Sequence, residues 1–198
     1  MTTNLLLLLG SYLLGSIPTA YIIMKALTGQ DLHHLGSGNI GATNLTKHIG
    51  KKWGAVAFII DASKGALALL LSQLLGATIP WQVACAFAAV LGHNFPLWLH
   101  FKGGKGVSTS LGLILVLSRP LFVALLALWF VVFKTFGYVS VASLTALWAA
   151  PILFALVKAW PAVILTGLLA LLSTYQHRSN LQRLKAGTET NYKKKRQP

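Results

Sequence analysis

Long uncharged stretches alternate with short polar segments along most of this chain. The first stretch, residues 4–24, contains 21 residues without a charged side chain. As a helix it would rise about 31 Å, enough to cross the roughly 30 Å hydrocarbon core of a bilayer. Apolar stretches of similar character follow at residues 53–75, 79–99, 107–133, 139–157 and 160–175. The pattern predicts an all-α polytopic membrane protein, with the first stretch retained as a span and not removed as a signal peptide.

The stretch at residues 107–133 is interrupted by Ser118-Arg119-Pro120, so it crosses the membrane either once or twice. If the chain turns back there, the inner segments hold 14 basic residues, and only Arg119 and Lys158 lie outside. With a single crossing, the inner loops hold 7 basic residues and the outer side holds 8. Because Lys and Arg concentrate in cytosolic loops, we predict seven transmembrane helices, with a periplasmic N-terminus and a cytosolic C-terminus.

The segment between the interruption and the preceding loop is unusually short. Residues 107–117 would rise only about 17 Å, less than the roughly 30 Å needed to span the core. We therefore expect the loop before it, "FKGGKG" at residues 101–106, to enter the cytosolic half of the membrane. Irregular backbone at that depth must be shielded by protein or line a wet cavity, which predicts a site there.

Composition supports a membrane protein and narrows its partners. Only 10% of the 198 residues are charged, against about 25% in soluble domains. The net charge is +14, but the chain has too little polar surface to bind nucleic acid, so the charge indicates topology and an anionic partner. The single cysteine, Cys85, excludes an internal disulfide. We expect one membrane domain over residues 1–185 and a basic, flexible cytosolic tail over residues 186–198.

Three polar segments would lie together on the cytosolic face under seven spans. They occupy residues 36–52, 92–110 and 175–189, and they are rich in glycine, amides and basic side chains but poor in carboxylates. Such a set suits phosphate, because glycines let backbone N–H groups approach oxyanions and lysines neutralise the charge. The donors are Ser37, Asn39, Thr43, Asn44, Lys47, His93, Lys102, Lys105, His177, Arg178 and Asn180.

Two nucleotide-binding patterns fail on context. Gly36–Gly41 reads G-x-G-x-x-G, with Asp61 20 residues later, but an apolar helix precedes it where a dinucleotide site needs a strand. The run "KGGKGVSTS" lacks the spacing of a Walker loop. Asp61 and Lys64, three residues apart in an apolar stretch, should pair and reduce each other's cost in the membrane.

Some of these residues also have a simpler interpretation. Gly92 and Gly112 could serve merely to allow close helix packing, and His93 could serve merely to cap a span. The other loop histidines are expected at the membrane interface. His177 and Asn180 are three apart and share a helix face if the last span continues past Tyr175, which favours a functional role. These residues alone leave an enzyme and a transporter of a phosphorylated solute equally open.

The motifs "GSGNIGATN", "DASKG" and "GHNFPLWLHFKGGKGVSTSLG", together with "HRSN" and "GTE", resemble the bacterial acyl-phosphate:glycerol-3-phosphate acyltransferases over essentially the whole chain. The resemblance implies a seven-span enzyme of the bacterial inner membrane. It would transfer an acyl group from acyl phosphate to the 1-hydroxyl of glycerol 3-phosphate, giving lysophosphatidic acid and phosphate. Neither coenzyme A, a metal nor another cofactor is implied, and no obligate protein partner is evident.

The same resemblance suggests which residues act. Catalytic roles are predicted for Lys105, His177 and Asn180. Substrate-binding roles are predicted for Ser37, Gly38, Asn39, Lys47, His93, Lys102, Gly103, Gly104 and Gly106. Lys47 departs from the family, which usually has arginine there, so the charge is kept but the bidentate fork is lost. No histidine is followed five residues later by aspartate, which argues against the soluble-type acyltransferases that use that pair.

Overall fold

The computed structural model describes residues 1–193, and within them it contains ten α-helices and no strand. The predicted all-α class is therefore confirmed. The helices are α1 (Thr2–Ser16), α2 (Thr19–Thr28), α3 (Ala42–Ile49), α4 (Lys51–Leu74), α5 (Ile79–Asn94), α6 (Val107–Leu117), α7 (Arg119–Phe136), α8 (Val139–Leu156), α9 (Trp160–Gln176) and α10 (Arg178–Lys185).

Apolar helices occupy every predicted membrane stretch. Within residues 1–193, five helical segments are long and apolar enough to cross a membrane, and α6 and α9 are shorter apolar helices. The predicted interruption is also present, because α6 ends at Leu117 and Ser118 is extended. The Ser118 hydroxyl accepts a hydrogen bond from Leu121 N and so caps α7. The number of crossings and their orientation stay predictions.

The first apolar stretch is two helices, where the sequence pattern predicts one continuous span. α1 ends at Ser16, and Ile17 is extended with φ −61° and ψ 113°. The cause is Pro18, which disfavours helical backbone in the residue before it and has no N–H of its own to donate. At the break the Ile17 carbonyl accepts hydrogen bonds from Thr19 N at 3.0 Å and from the Lys64 ammonium of α4. A broken helix inside a membrane needs such a donor from a neighbouring helix.

The chain divides into two compact units, of which the first comprises Met1–Val116. Its helices approach closely where glycine replaces larger residues. A methyl group at Gly92 of α5 would overlap the Tyr12 carbonyl of α1, and one at Gly112 of α6 would overlap the Ala62 carbonyl of α4. The packing interpretation of Gly92 and Gly112 is therefore confirmed.

The second unit begins at Leu117, and in it α8 packs against both α7 and α9. Residues beyond α10 contact the end of α7. The Asn191 side chain donates to the Phe136 carbonyl at 3.1 Å, and Tyr192 N donates to the Gly137 carbonyl at 2.9 Å. These contacts satisfy carbonyls that the last turn of a helix leaves open. Of the predicted tail, residues 194–198 lie outside the described residues.

Candidate active site

The first polar segment folds into a tight glycine turn between α2 and α3. Gly36 and Gly38 have φ values of +56° and +69°, which glycine adopts without the steric cost of a side chain. Buried Asn44 of α3 fixes the turn from behind. Its carbonyl oxygen accepts a hydrogen bond from Ser37 N at 3.2 Å, and its amide donates to the Leu35 carbonyl at 2.9 Å. The Ser37 side chain remains on the exposed side of the turn.

The other predicted residues of this segment flank the turn. Asn39 is partly buried, and its side-chain amide lies against Gly41, where an added methyl group would collide with it. Lys47 is exposed on the last turn of α3. Ser37 and Lys47 are thus open to solvent at the two ends of the segment that Asn44 organises.

The second polar segment forms the glycine-lysine loop, residues 102–106, between α5 and α6. Gly103 N donates to the Asn94 carbonyl at 3.1 Å, and Gly104 N donates to the His93 carbonyl at 3.0 Å. These two amides complete the C-terminal end of α5, and the phosphate contact expected of Gly103 and Gly104 stays a prediction. Glycine is needed here for close approach, because a methyl group at Gly104 would overlap the His93 ring.

The loop leads directly into the N-terminus of α6. Gly106 has φ +77°, and α6 begins at the next residue. The first-turn N–H groups of a helix have no partner within the helix and attract anions. Lys105 is partly buried beside this helix end, whereas Lys102 is exposed. A basic side chain next to a helix N-terminus is an arrangement well suited to bind phosphate.

His33 joins the two polar segments. Its Nε2 donates to the Lys102 carbonyl at 3.1 Å, and its Nδ1 lies 3.0 Å from the Asp31 carboxylate. The backbone N–H of His33 also donates to Asp31, and this bond lowers the pKa of that carboxyl. His33 was expected only at the membrane interface; it lies three residues before Gly36, and its ring contact with Lys102 connects this part of the chain to the glycine-lysine loop.

A buried polar cluster lies beneath the loop among α2, α4 and α5. Lys64 Nζ and Asp61 Oδ1 are 2.6 Å apart, so the predicted pairing is confirmed. The Thr19 hydroxyl donates to Asp61 Oδ1 at 2.8 Å and also contacts Lys64. His93 Nδ1 lies 3.7 Å from Asp61 Oδ1, and the His93 side chain is only 7% exposed. The His93 ring lies against Gly104 of the loop, and its substrate-binding role stays a prediction.

The remaining predicted residues belong to the second unit, at the junction of α9 and α10. His177 is buried, and its Nδ1 lies 2.8 Å from the Ser173 carbonyl. Because a carbonyl only accepts hydrogen bonds, Nδ1 carries the hydrogen, and in the neutral ring Nε2 carries the lone pair. Nε2 is therefore the nitrogen that can accept a proton or a hydroxyl hydrogen bond.

Glu189 holds Asn180 from the segment that follows α10. Asn180 Nδ2 donates to Glu189 Oε1 at 2.6 Å, and Arg183 Nε donates to Oε2 at 2.7 Å. The Ser140 hydroxyl of α8 donates to Oε1 at 3.0 Å. Burial raises the pKa of Glu189, but these three hydrogen bonds outweigh it and leave the pKa below its ordinary value of 4.5. Glu189 therefore acts as an anchor for the Asn180 amide.

Replacing Glu189 with glutamine is expected to destabilise the protein, because hydrogen bonds to a charged group are worth about 1.5–3 kcal/mol. The folded-state pKa is lowered, so the stabilisation is complete above 4.5 and disappears as pH falls through the lower folded value. Thermal unfolding in detergent should show the variant melting earlier at pH 7 and the difference shrinking below pH 4.5. Equal melting at pH 7 would contradict the assignment of Glu189 as an anchor.

Comparisons with known proteins point consistently to one family. The family model described as glycerol-3-phosphate acyltransferase matches residues 5–187. A glycerol-3-phosphate acyltransferase of Geotalea daltonii is 40% identical, covering 98% of this chain and 100% of its own length. One of Thermosynechococcus vestitus is 43% identical, covering 93% of this chain and 92% of its own.

Two solved structures share the fold. Both are crystal structures of PlsY (YgiH), an integral membrane glycerol 3-phosphate acyltransferase. The glycerol 3-phosphate form has a TM-score of 0.91 and 35% identity, with 96% of each chain covered. The lysophosphatidic acid form has a TM-score of 0.88 and 33% identity, covering 96% of this chain and 95% of that one.

Proposed function

Because this chain belongs to the glycerol-3-phosphate acyltransferase family, we propose that it transfers a fatty acyl group from acyl phosphate to the 1-hydroxyl of glycerol 3-phosphate. The products are lysophosphatidic acid and inorganic phosphate, which makes this a first step of phospholipid synthesis. The chain is an integral membrane acyltransferase like its relatives. The identity of the donor and the roles of individual residues are the parts that we add.

The observation that carries the proposal is the pairing of two phosphate-suited segments through His33. One is the Ser37 turn, and the other is the glycine-lysine loop with Lys105 beside the N-terminus of α6. Both substrates carry phosphate, so a basic surface poor in carboxylates meets the needs of each. Their acyl and glycerol parts differ, so the two phosphates can be held by different residues.

We assign the glycerol 3-phosphate headgroup to the Ser37 turn and its neighbours. Ser37, Gly38 and Asn39 would supply hydrogen bonds, and Lys47 and Lys105 would supply charge. The acyl phosphate headgroup is assigned to the glycine-lysine loop, through Lys102, Lys105 and the Gly106 end that opens α6. Since the Gly103 and Gly104 amides bond to α5, these two glycines serve this site by shaping the loop.

The chemistry proposed for this site needs no covalent enzyme intermediate. The glycerol 1-hydroxyl oxygen attacks the acyl carbonyl carbon, and the bond from that carbon to the phosphate oxygen breaks. The hydroxyl proton goes to a substrate phosphate oxygen or to His177 Nε2, and phosphate leaves. The Asn180 amide, anchored by Glu189, stabilises the oxyanion that develops on the carbonyl. Because acyl phosphate is already activated, orientation and charge stabilisation supply most of the rate.

We place the enzyme in the bacterial cytoplasmic membrane with seven spans, a periplasmic N-terminus and its loops on the cytosolic face. The five long and two shorter apolar helices of residues 1–193 are consistent with this topology. The charge distribution of the loops supports the orientation. Membrane lipid and the two substrates are the proposed partners, and no metal or other cofactor is assigned a role.

Purified full-length protein in detergent should make lysophosphatidic acid from acyl phosphate and glycerol 3-phosphate. Mass spectrometry of the product and release of inorganic phosphate measure the two halves of the reaction. If product forms only with another activated acyl donor, the donor assignment is wrong while the acceptor stands. If reconstituted vesicles move a phosphorylated solute and no product forms, the protein is the transporter that the sequence left open.

A further inference from the structure

We propose that Asp61 and His93 are positioning residues that hold the glycine-lysine loop in its phosphate-binding shape from beneath. The buried Asp61 carboxylate orients the His93 ring. The ring and the backbone carbonyl of His93 then hold the glycine-lysine loop in place. This inference rests on the proposed function in one respect, because it takes the loop as a phosphate site.

The Asp61 carboxylate is buried and held in a fixed position. Its side chain is 1% exposed, and Oδ1 accepts hydrogen bonds from Lys64 Nζ and the Thr19 hydroxyl. Those donors come from α4 and from the start of α2, so the carboxylate is fixed relative to two helices. Because the carboxylate is fixed in this way, it does not move with the His93 ring. The ring orients to the carboxylate instead.

The Asp61 carboxylate also contacts the His93 ring. The distance of 3.7 Å from Oδ1 to Nδ1 is within the range of an ion pair and slightly longer than a direct hydrogen bond. A carboxylate at this nitrogen favours the ring form with a hydrogen on Nδ1 and resists rotation of the ring. Asp61 thereby fixes the orientation of the His93 side chain.

His93 contacts the loop through both its backbone carbonyl and its ring. Its carbonyl accepts the Gly104 N–H at 3.0 Å, and its ring edge at Nε2 lies against Gly104, where even a methyl group would not fit. A ring in another rotamer would displace Gly104 and, with it, the neighbouring Lys105. The position of the phosphate-binding lysine thus depends on a carboxylate buried in α4.

A purely structural role for Asp61 is the alternative. The Asp61–Lys64 pair lies beside the break between α1 and α2, and Lys64 donates to the Ile17 carbonyl there. A buried pair of this kind often contributes little net stability. Ser72 offers a matched comparison, because it is a buried polar residue of the same helix whose hydroxyl donates to the Leu69 carbonyl, and it has no contact with Asp61 or His93 among those identified in residues 1–193.

Binding of inorganic phosphate to the full-length protein in detergent tests the proposal without turnover. Phosphate is titrated against the thermal unfolding midpoint of the wild type and of Asp61→Asn, His93→Gln and Ser72→Ala. We expect the phosphate Kd to rise about tenfold in Asp61→Asn and His93→Gln, as is typical when a partner behind a binding group is lost. Ser72→Ala should keep the wild-type Kd even where its midpoint is lower.

The double variant Asp61→Asn/His93→Gln should bind phosphate no more weakly than His93→Gln alone, because Asp61 acts through His93. The KM for acyl phosphate should rise in parallel, with kcat changed by less than about threefold. An unchanged Kd in Asp61→Asn or His93→Gln, equal losses in Ser72→Ala, additive losses in the double variant, or no phosphate effect on the wild type would each overturn the proposal. Wild-type protein that binds phosphate but makes no product from acyl phosphate would sink only the proposed function.

Discussion

Lys105→Met is expected to lower kcat/KM for acyl transfer by about 10²–10³-fold, the largest single effect in the first unit. Lys105 is the partly buried cation between Gly104 and Gly106, beside the N-terminus of α6. We assign it to both phosphates, where charge builds up on the leaving group as the acyl bond breaks. Methionine keeps the length and apolar stem of lysine but removes the ammonium group.

The measurement is steady-state release of phosphate with each substrate varied in turn. Lys51→Met is the matched control, because Lys51 is an exposed lysine at the start of α4, outside the Ser37 turn and the glycine-lysine loop. Its kcat/KM should stay within about twofold of the wild type, because an exposed lysine outside the site contributes little to phosphate binding. Near-wild-type turnover of Lys105→Met would show that the assignment of Lys105 to the site is wrong, whatever the effect of changing other loop residues.

Asn180→Ala is expected to lower kcat by about 10²–10³-fold with a smaller change in KM, because an oxyanion donor acts mainly in the transition state. The amide is buried and held by Glu189 at 2.6 Å, so its direction is set before substrate binds. Removing it also leaves Glu189 without one of its three donors. Thermal unfolding must therefore be measured beside kcat, and activity compared per folded enzyme.

Ser179→Ala provides the control for Asn180, since Ser179 is exposed one residue earlier on α10. It should leave both kcat and stability near wild-type values. If Asn180→Ala loses only stability and keeps its kcat per folded molecule, then Asn180 is a structural partner of Glu189 and not an oxyanion donor. The comparison with Glu189→Gln, where the amide remains but its anchor is weakened, separates the two roles further.

Much of the fold was predictable because the membrane imposes simple rules on a sequence. Uncharged stretches of about 20 residues have to be helical, since every backbone group in hydrocarbon needs a partner within the protein. The interruption at Ser118-Arg119-Pro120 was also visible, because it combines a helix cap with a proline. The break at Ile17-Pro18 was not predicted, because a proline can also stay within a membrane helix, as Pro151 does in α8.

The candidate site was predictable in its residue types but not in its arrangement. Glycines, lysines and amides near the ends of the spans indicate phosphate chemistry whatever their order. Which amides face a ligand is a different question. Gly103 and Gly104 look identical to Gly106 in the sequence, yet their N–H groups complete α5. Glu189 and His33 drew little notice, because their partners lie in other elements or depend on the fold of a loop.

The sequence by itself determined the class of the molecule: a helical, basic membrane protein whose polar segments suit phosphate and whose motifs match one acyltransferase family. Only the tertiary structure decided that Asn44 shapes the Ser37 turn, that Glu189 anchors Asn180, and that Asp61 lies behind His93. The physical reason is the distance along the chain between the residues that interact. Hydropathy and charge act on each residue where it stands in the chain, whereas hydrogen-bond partners are chosen by the packing of helices distant in sequence.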